Sequence, residues 1–365
     1  MWSLLEPLRA HRLFFATAAL FSIVVVWRTT AVYAGFLDPA GLPIARWHGH
    51  EMIFGFALAI MGGYFSATIP RRGIMLLLVA WGLGRVVYLL QPEAPGLLPA
   101  GLAAYPLLLF LYAGAPLLRA AKTWRNRIFA VILALFPLAE LALAAAPAEP
   151  SREASLALTG VLLLTLMMFT MGGRISAAAT SGALRKRGIE IRHPAHPGLE
   201  KAGLLALAAL IASQLINAAA PLAPLLSAAL AIIIGVRLWR WRFWAIRDGS
   251  VSGLHLGFAW LAIGFVLLAA RPLLAVITTT DILHALTVGA LGTLSLTIMT
   301  RIMLQRARHP ITVGAAGLTP VALVTIAAAL RLAVPLSDHA GGLLIAAALA
   351  WSAAYLAFVF FMLRR

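Results

Sequence analysis

The chain has 365 residues, 62% of them hydrophobic and only 11% charged, with a formal net charge of +17 and no cysteine. Apolar runs of about 20 residues, the length that crosses a bilayer core, recur from end to end and exclude a soluble globular protein. The absence of cysteine excludes disulfides, thiolate metal sites, iron–sulfur clusters and covalently attached haem, so any metal must be held by His, Met or carboxylate.

Arg9 and Arg12 precede an apolar stretch from Leu13 to Tyr33 that is too long for the core of a signal peptide, so it reads as a retained first helix. Further spans are expected at 48–67, 74–90, 100–118, 127–146, 155–173, 202–220, 222–241, 254–270, 281–303, 317–333 and 341–362. Pro70, Pro221, Pro272 and Pro310 fall between or at the edges of these runs, where a missing amide costs little. The fold expected is an all-α integral membrane protein of about twelve transmembrane helices, one polytopic domain over residues 1–365 with short loops.

Of the 29 Lys and Arg, only Arg28, Arg46, Arg85, Arg152, Arg271 and Arg331 fall on one side of this arrangement. The positive-inside rule makes the other side cytoplasmic, with both termini on it. The same rule explains the net charge better than nucleic-acid binding, for which there is no compact basic domain. The histidines divide likewise. His48, His50, His284 and His339 are outside, and His11, His193, His196, His255 and His309 are inside. A core about 30 Å thick separates the groups, so one metal site must draw from one of them.

Trp47-His48-Gly49-His50-Glu51-Met52 packs two imidazoles and a carboxylate into the mouth of an apolar helix, where they are expensive unless partnered. An interfacial cap beside Trp47 is the plain alternative. On an ideal helix His48 and His50 lie about 200° apart, so either the helix starts after His48 or the two rings serve different centres. His50, Phe54, Ala57 and Met61 would form one apolar wall, with His48 and Glu51 sharing the other side as a second metal position or a ligand with its supporting carboxylate. His284 opens the tenth span and is followed at i+5 by Gly289, as His50 is by Gly55. Those glycines make room for a planar cofactor or for close helix packing. Arg85 and Glu140 lie too deep in their spans to be idle. They form an ion pair between helices, or Arg85, Arg271 or Arg331 neutralises haem propionates while Glu140 passes protons.

The stretches WHGHEMIFGFA (47–57), FTMGGR (169–174), LHLGFAW (254–260) and HALTVGALG with MTR (284–301) resemble the NnrS family, in order and along the whole chain. The resemblance implies a bacterial inner-membrane protein with non-covalent haem b and copper, linked to nitric oxide in denitrification and in defence against nitrosative stress. It assigns metal or haem roles to His48, His50 and His284, and less directly His255, with the centre expected near the periplasmic face between the second and tenth helices. Glu51, Arg85, Glu140, Asp281, Arg271 and Arg331 are the expected supporting residues, and Arg174 and Arg301 are family-like positions on the cytoplasmic side. After Arg174 the family tends to continue Ile-Pro-Phe-Phe-Thr, whereas this chain has Ile175-Ser176-Ala177-Ala178-Ala179-Thr180. The expected partners are membrane lipid and nitric oxide, with no nucleic acid and no identified electron donor. The competing reading is a transporter or carrier of a small anion or of haem, for which many spans and buried arginine are equally natural.

Overall fold

A computed structural model describes residues 9–39, 43–90, 98–145, 150–191, 194–216, 221–311 and 315–364, the side chains of 150–154 and 315–316 excepted. Arg192, His193, Arg365, the side chain of Arg152 and the expected ends of the fifth and seventh spans (146 and 217–220) lie outside the described residues.

Within the described residues the chain is helical, without a strand. Twelve helices are long and apolar enough to cross a membrane. They are α1 (Ala10–Tyr33), α2 (Ile44–Thr68), α3 (Arg71–Leu89), α4 (Leu98–Ala120), α5 (Trp124–Ala144), α6 (Ser155–Arg185), α7 (Pro197–Leu215), α8 (Ala223–Ala245), α9 (Gly249–Leu273), α10 (Thr279–Arg306), α11 (Gly317–Leu336) and α12 (Ala340–Leu363). Two boundaries differ from expectation in ways that matter. Helix α2 starts behind Pro43, so His48 and His50 lie inside its opening α-helical stretch rather than at its first residue. Helix α6 runs past 173 because Ala- and Ser-rich sequence does not break a helix. It ends at Arg185, and the chain turns away at Gly188, whose φ of +71° lets the Ile189 amide reach back to the Leu184 carbonyl.

The helices fall into two compact units, Met1–Leu163 and Leu164–Arg365. In the first, α2 packs against α1, and α4 packs against α3 and α5. A Cβ on Gly63 of α2 would come within 2.5 Å of the Phe15 ring, so two phenylalanines of α1 bed directly on α2 backbone at Gly62 and Gly63. In the second, α8 packs on α9, α9 on α10, and α11 on α12. Gly257 and Gly264 of α9 receive Leu294 and Leu286 of α10. In lipid, which is as apolar as leucine, such close van der Waals approach drives helix association.

Within α2, α4, α6 and α10 the turn widens to a π-helix, at Glu51–Ala57, Phe110–Gly114, Met168–Gly172 and Ala285–Leu291. Such segments shift bonding from i→i+4 to i→i+5 and disturb the backbone ladder locally. A bilayer offers no water to carbonyls disturbed in this way. Neighbouring helices supply donors instead. Trp81 Nε1 donates to the Gly55 carbonyl at 2.9 Å and Tyr105 Oη to that of Leu58 at 3.0 Å in the first unit. Arg237 Nη1 donates to the Phe169 carbonyl at 3.1 Å in the second. The widened segments of α2 and α10 begin directly after His50 and His284.

Candidate functional site

In the first unit, α2 is regular from Ile44 to His50, so the two imidazoles keep their wide separation and meet different helices. His48 Nδ1 lies 3.0 Å from Thr29 Oγ1 of α1, and that hydroxyl donates its proton to the Val25 carbonyl at 2.8 Å. A hydroxyl has one proton to give and a carbonyl only accepts, so Thr29 must accept from His48 Nδ1–H. The neutral ring then carries its lone pair on Nε2.

His50 is held differently. Its Nε2 is 2.7 Å from Glu140 Oε1 of α5 and its Nδ1 is 3.1 Å from Glu51 Oε1, so both nitrogens are directed at carboxylate oxygens. Glu51 Oε2 lies 3.0 Å from Arg85 Nε of α3 as an ion pair, although the N–H is not aimed for a hydrogen bond. His50, Glu51 and Glu140 are 2%, 1% and 0% exposed, so the cluster is sealed from solvent. Tyr88 and Phe54 cover the imidazole at ring distances of 4.5 and 5.1 Å. Glu51 thus serves His50 and not His48, because the α-helical turn gives way to the π-helical one between residues 50 and 51 and the regular face rule stops there. A Cβ on Gly55 would lie 2.5 Å from Phe21 and 2.7 Å from Arg85 Nη1, so this glycine admits packed side chains. Arg46 donates to the Leu143 carbonyl at 2.6 Å, at the C-terminal end of α5.

In the second unit, His284 Nδ1 lies 2.7 Å from the Thr280 carbonyl, which can only accept. His284 therefore takes the same form as His48, with Nδ1–H donated and the lone pair on Nε2. Asp281 forms a capping box with Thr278 and accepts from Arg331 Nη1 at 3.1 Å, which ties α11 to the start of α10. Arg271 Nη1 donates to the Leu274 carbonyl at 3.1 Å. The space beside Gly289 is taken by the Trp260 ring, again close packing.

At the opposite, arginine-rich end of this unit, His255 is buried with Nε2 2.7 Å from Thr180 Oγ1 and Nδ1 without a hydrogen-bond partner. Its ring stacks on Trp241 at 5.6 Å and 15°. Trp241 is fixed in turn by donation to the Pro194 carbonyl at 2.9 Å. The Arg237 guanidinium is buried over the rings of Phe169, Trp241 and Phe258 at 4.4, 5.1 and 5.3 Å. Gly173 leaves it room, since a Cβ there would run into the guanidinium. Arg174 pairs with Glu200 at 3.3 Å. Arg301 Nη1 donates to Ser250 Oγ, which donates to Asp248 at 2.8 Å.

Sequence reasoning missed Thr29, Thr180, Trp241 and the caged role of Arg237. A threonine in an apolar span gives no signal of its own, and Arg237 is indistinguishable in sequence from the loop arginines after it. Among the described residues, no group of three or more His, Cys, Asp and Glu side chains is placed to hold a metal ion.

No curated protein matches this chain. A family model does, described as NnrS protein, over residues 8–364. Its match takes in all of α1 to α12, together with His48, His50, His255 and His284, and the chain therefore belongs to the NnrS family.

Proposed function

We propose that the chain is a haem-b-binding inner-membrane protein of the nitric oxide response, with both termini cytoplasmic, in which His48 and His284 are the imidazoles that serve iron. The observation that supports this most is their common hydrogen bonding. In each, Nδ1–H is donated to a fixed oxygen, Thr29 Oγ1 or the Thr280 carbonyl, which orients the ring and sets the tautomer whose lone pair is on Nε2. His48 and His284, each an oriented imidazole, are the residues that would hold a haem iron, which needs no cluster of protein donors at one point. They fit copper less well, which needs several protein donors at one point, and such a group is not found among the described residues. When bound, haem supplies an iron that takes nitric oxide. The chain's own part is orientation by Thr29 and Thr280, and non-covalent retention, since it has no cysteine to form a thioether.

Purified protein is expected to show a Soret band that shifts with nitric oxide, and haem that extracts fully into acidified organic solvent. His48→Ala and His284→Ala should each remove or strongly alter that band at normal protein levels, whereas His339→Ala should not. A wild-type protein without haem by pyridine haemochrome would overturn the reading. So would full haem retention in both variants. An active alkaline phosphatase fused after Arg365 would overturn the orientation.

A further inference from the structure

Helix α8 ends in Trp239-Arg240-Trp241-Arg242-Phe243-Trp244, a run that neither a membrane span nor a helix cap requires. Trp241 is buried against His255, but Trp239, Phe243 and Trp244 are 67%, 51% and 54% exposed. These exposed rings touch one another, Trp239 to Trp244 at 4.6 Å and Phe243 to Trp244 at 5.2 Å. Arg240, Arg242 and Arg247 are exposed around them. A hydrogen bond from Arg187 to the Ala245 carbonyl ties the end of α6 to this turn, bringing exposed Arg185, Lys186 and Arg187 into the same region. The acids nearest in sequence do little to offset them. Asp248 is taken by the Ser250 amide and hydroxyl at 2.9 and 2.8 Å, and Glu190 is a single exposed carboxylate.

The backbone adds an independent observation. Several helix ends on the arginine-rich face of this unit pass through a left-handed residue: Gly188 after α6, Arg242 within the last turns of α8, where its regular part has ended at Arg240 (φ 51°, ψ 52°), and Arg308 after α10 (φ 57°). Glycine is at ease in that conformation, and a residue with a Cβ is strained in it. A general need for interfacial aromatics or for a helix stop would be met by glycine at 242, as it is at 188. Arg308 shows that the conformation alone assigns no role to a side chain, but at 242 the strained arginine stands beside the exposed rings, and that combination points to its side chain being used.

We propose that the α8–α9 turn is a binding site for the headgroup of an anionic phospholipid. Arg240 and Arg242 take the phosphodiester through forked, charge-assisted hydrogen bonds, and the exposed rings lie against the glycerol and upper acyl region. Arg247 and the Arg185–Arg187 run supply the surrounding field. A free anion in water would need the cations but not the aromatic surface. The combination is that of a ligand charged at one end and apolar at the other.

The test uses the full-length chain in detergent, delipidated and then titrated with phosphatidylglycerol or phosphatidylcholine, with bound lipid counted by native mass spectrometry and stability followed by thermal melting. Wild type should retain phosphatidylglycerol in preference to phosphatidylcholine. Arg242→Gly should reduce that retention about ten-fold, as expected for losing one charge-assisted contact. Because glycine relaxes the left-handed backbone, the same variant should melt no lower than wild type without lipid, a sign opposite to that of a merely structural arginine. Arg308→Gly gives the same backbone relief away from the aromatic turn and should leave lipid retention unchanged. Arg240→Gln, which does not touch the left-handed position, should also weaken phosphatidylglycerol. Equal retention of the two lipids, wild-type retention by Arg242→Gly, or stabilisation by inorganic phosphate as large as that by phosphatidylglycerol would each overturn the proposal.

Discussion

Two cations largely withdrawn from the surface, one in each unit, are held by opposite means. Arg85 of the first unit faces a carboxylate, and that carboxylate shares a histidine with a second one, so the group is a closed set of charges. Arg237 of the second unit lies on the faces of three aromatic rings and donates to a backbone carbonyl. In the closed set each member is there because of the others, and deleting one leaves the rest buried and unanswered. The aromatic cage pairs its cation with rings that are at home in an apolar interior without it. The lesson is one of fragility, since a charge-compensated cluster fails as a whole while a cation on rings can be lost more locally.

The strongest way to break this comparison is Glu140→Ala, which removes the partner of His50 Nε2 from a sealed site. It should lower stability by about 3–5 kcal/mol, read as a fall in the thermal or SDS-unfolding midpoint. Glu140→Gln keeps shape and a hydrogen-bonding group and should recover at least half of that loss. An alanine variant as stable as wild type would show that the cluster does not act as a unit. Next in size, Arg237→Met should cost about 2 kcal/mol, the value of a desolvated cation over rings. Arg237→Lys should fall between wild type and Met, because an ammonium lacks the flat fork that covers a ring and reaches a carbonyl together. If Arg237→Met were as damaging as Glu140→Ala, the distinction between the two cations would fail. The smallest change in stability is expected from Thr29→Val, about 1 kcal/mol for the bond from His48, the second bond of that hydroxyl being a local one to the Val25 carbonyl within α1. That variant should nevertheless alter the haem spectrum, because it frees the orientation of His48. His50→Gln should have the opposite profile, with a clear loss of stability and a spectrum close to wild type. Thr29→Val with an unchanged spectrum would argue against His48 as the ring that serves iron.

Much of this molecule is legible in its sequence, for reasons that can be named. The helices are read correctly because each needs about 20 apolar residues and announces itself by composition alone. The wide separation of His48 and His50 is read correctly because it depends only on local helical geometry, which holds from Ile44 to His50. The pairing of Glu51 is read wrongly because the same geometry stops holding one residue later. An ion pair of Arg85 with Glu140, one of the two alternatives that the sequence leaves open, is half right. Both belong to one cluster, but Glu51 and His50 stand between them, a relation set by packing of α2, α3 and α5 that spacing along the chain cannot report. For Gly55 and Gly289 sequence leaves cofactor and packing equally open, and in the structure the rings of Phe21 and Trp260 lie against them. Arg237 shows the limit most clearly, since nothing in its neighbourhood in sequence separates it from the exposed arginines beside it.

The widened turns after His50 and His284 also bear on how tolerant these helices are of insertion and deletion. A helix with a π-helical turn holds a residue that a uniform α-helix would not, and the wider turn takes that residue up while keeping its two ends in phase. Removing one residue between Glu51 and Ala57 would let α2 close into a regular helix with its halves nearly in their present phase, whereas removing one from the regular stretch Leu58–Phe65 would rotate the half before the cut by about 100° relative to the half after it. His48 would leave Thr29 and His50 would leave Glu140 in a single event, while hydropathy and span length hardly changed. For α2, and likewise for α10, the widened turn forgives the loss of one residue and the regular stretch beside it does not.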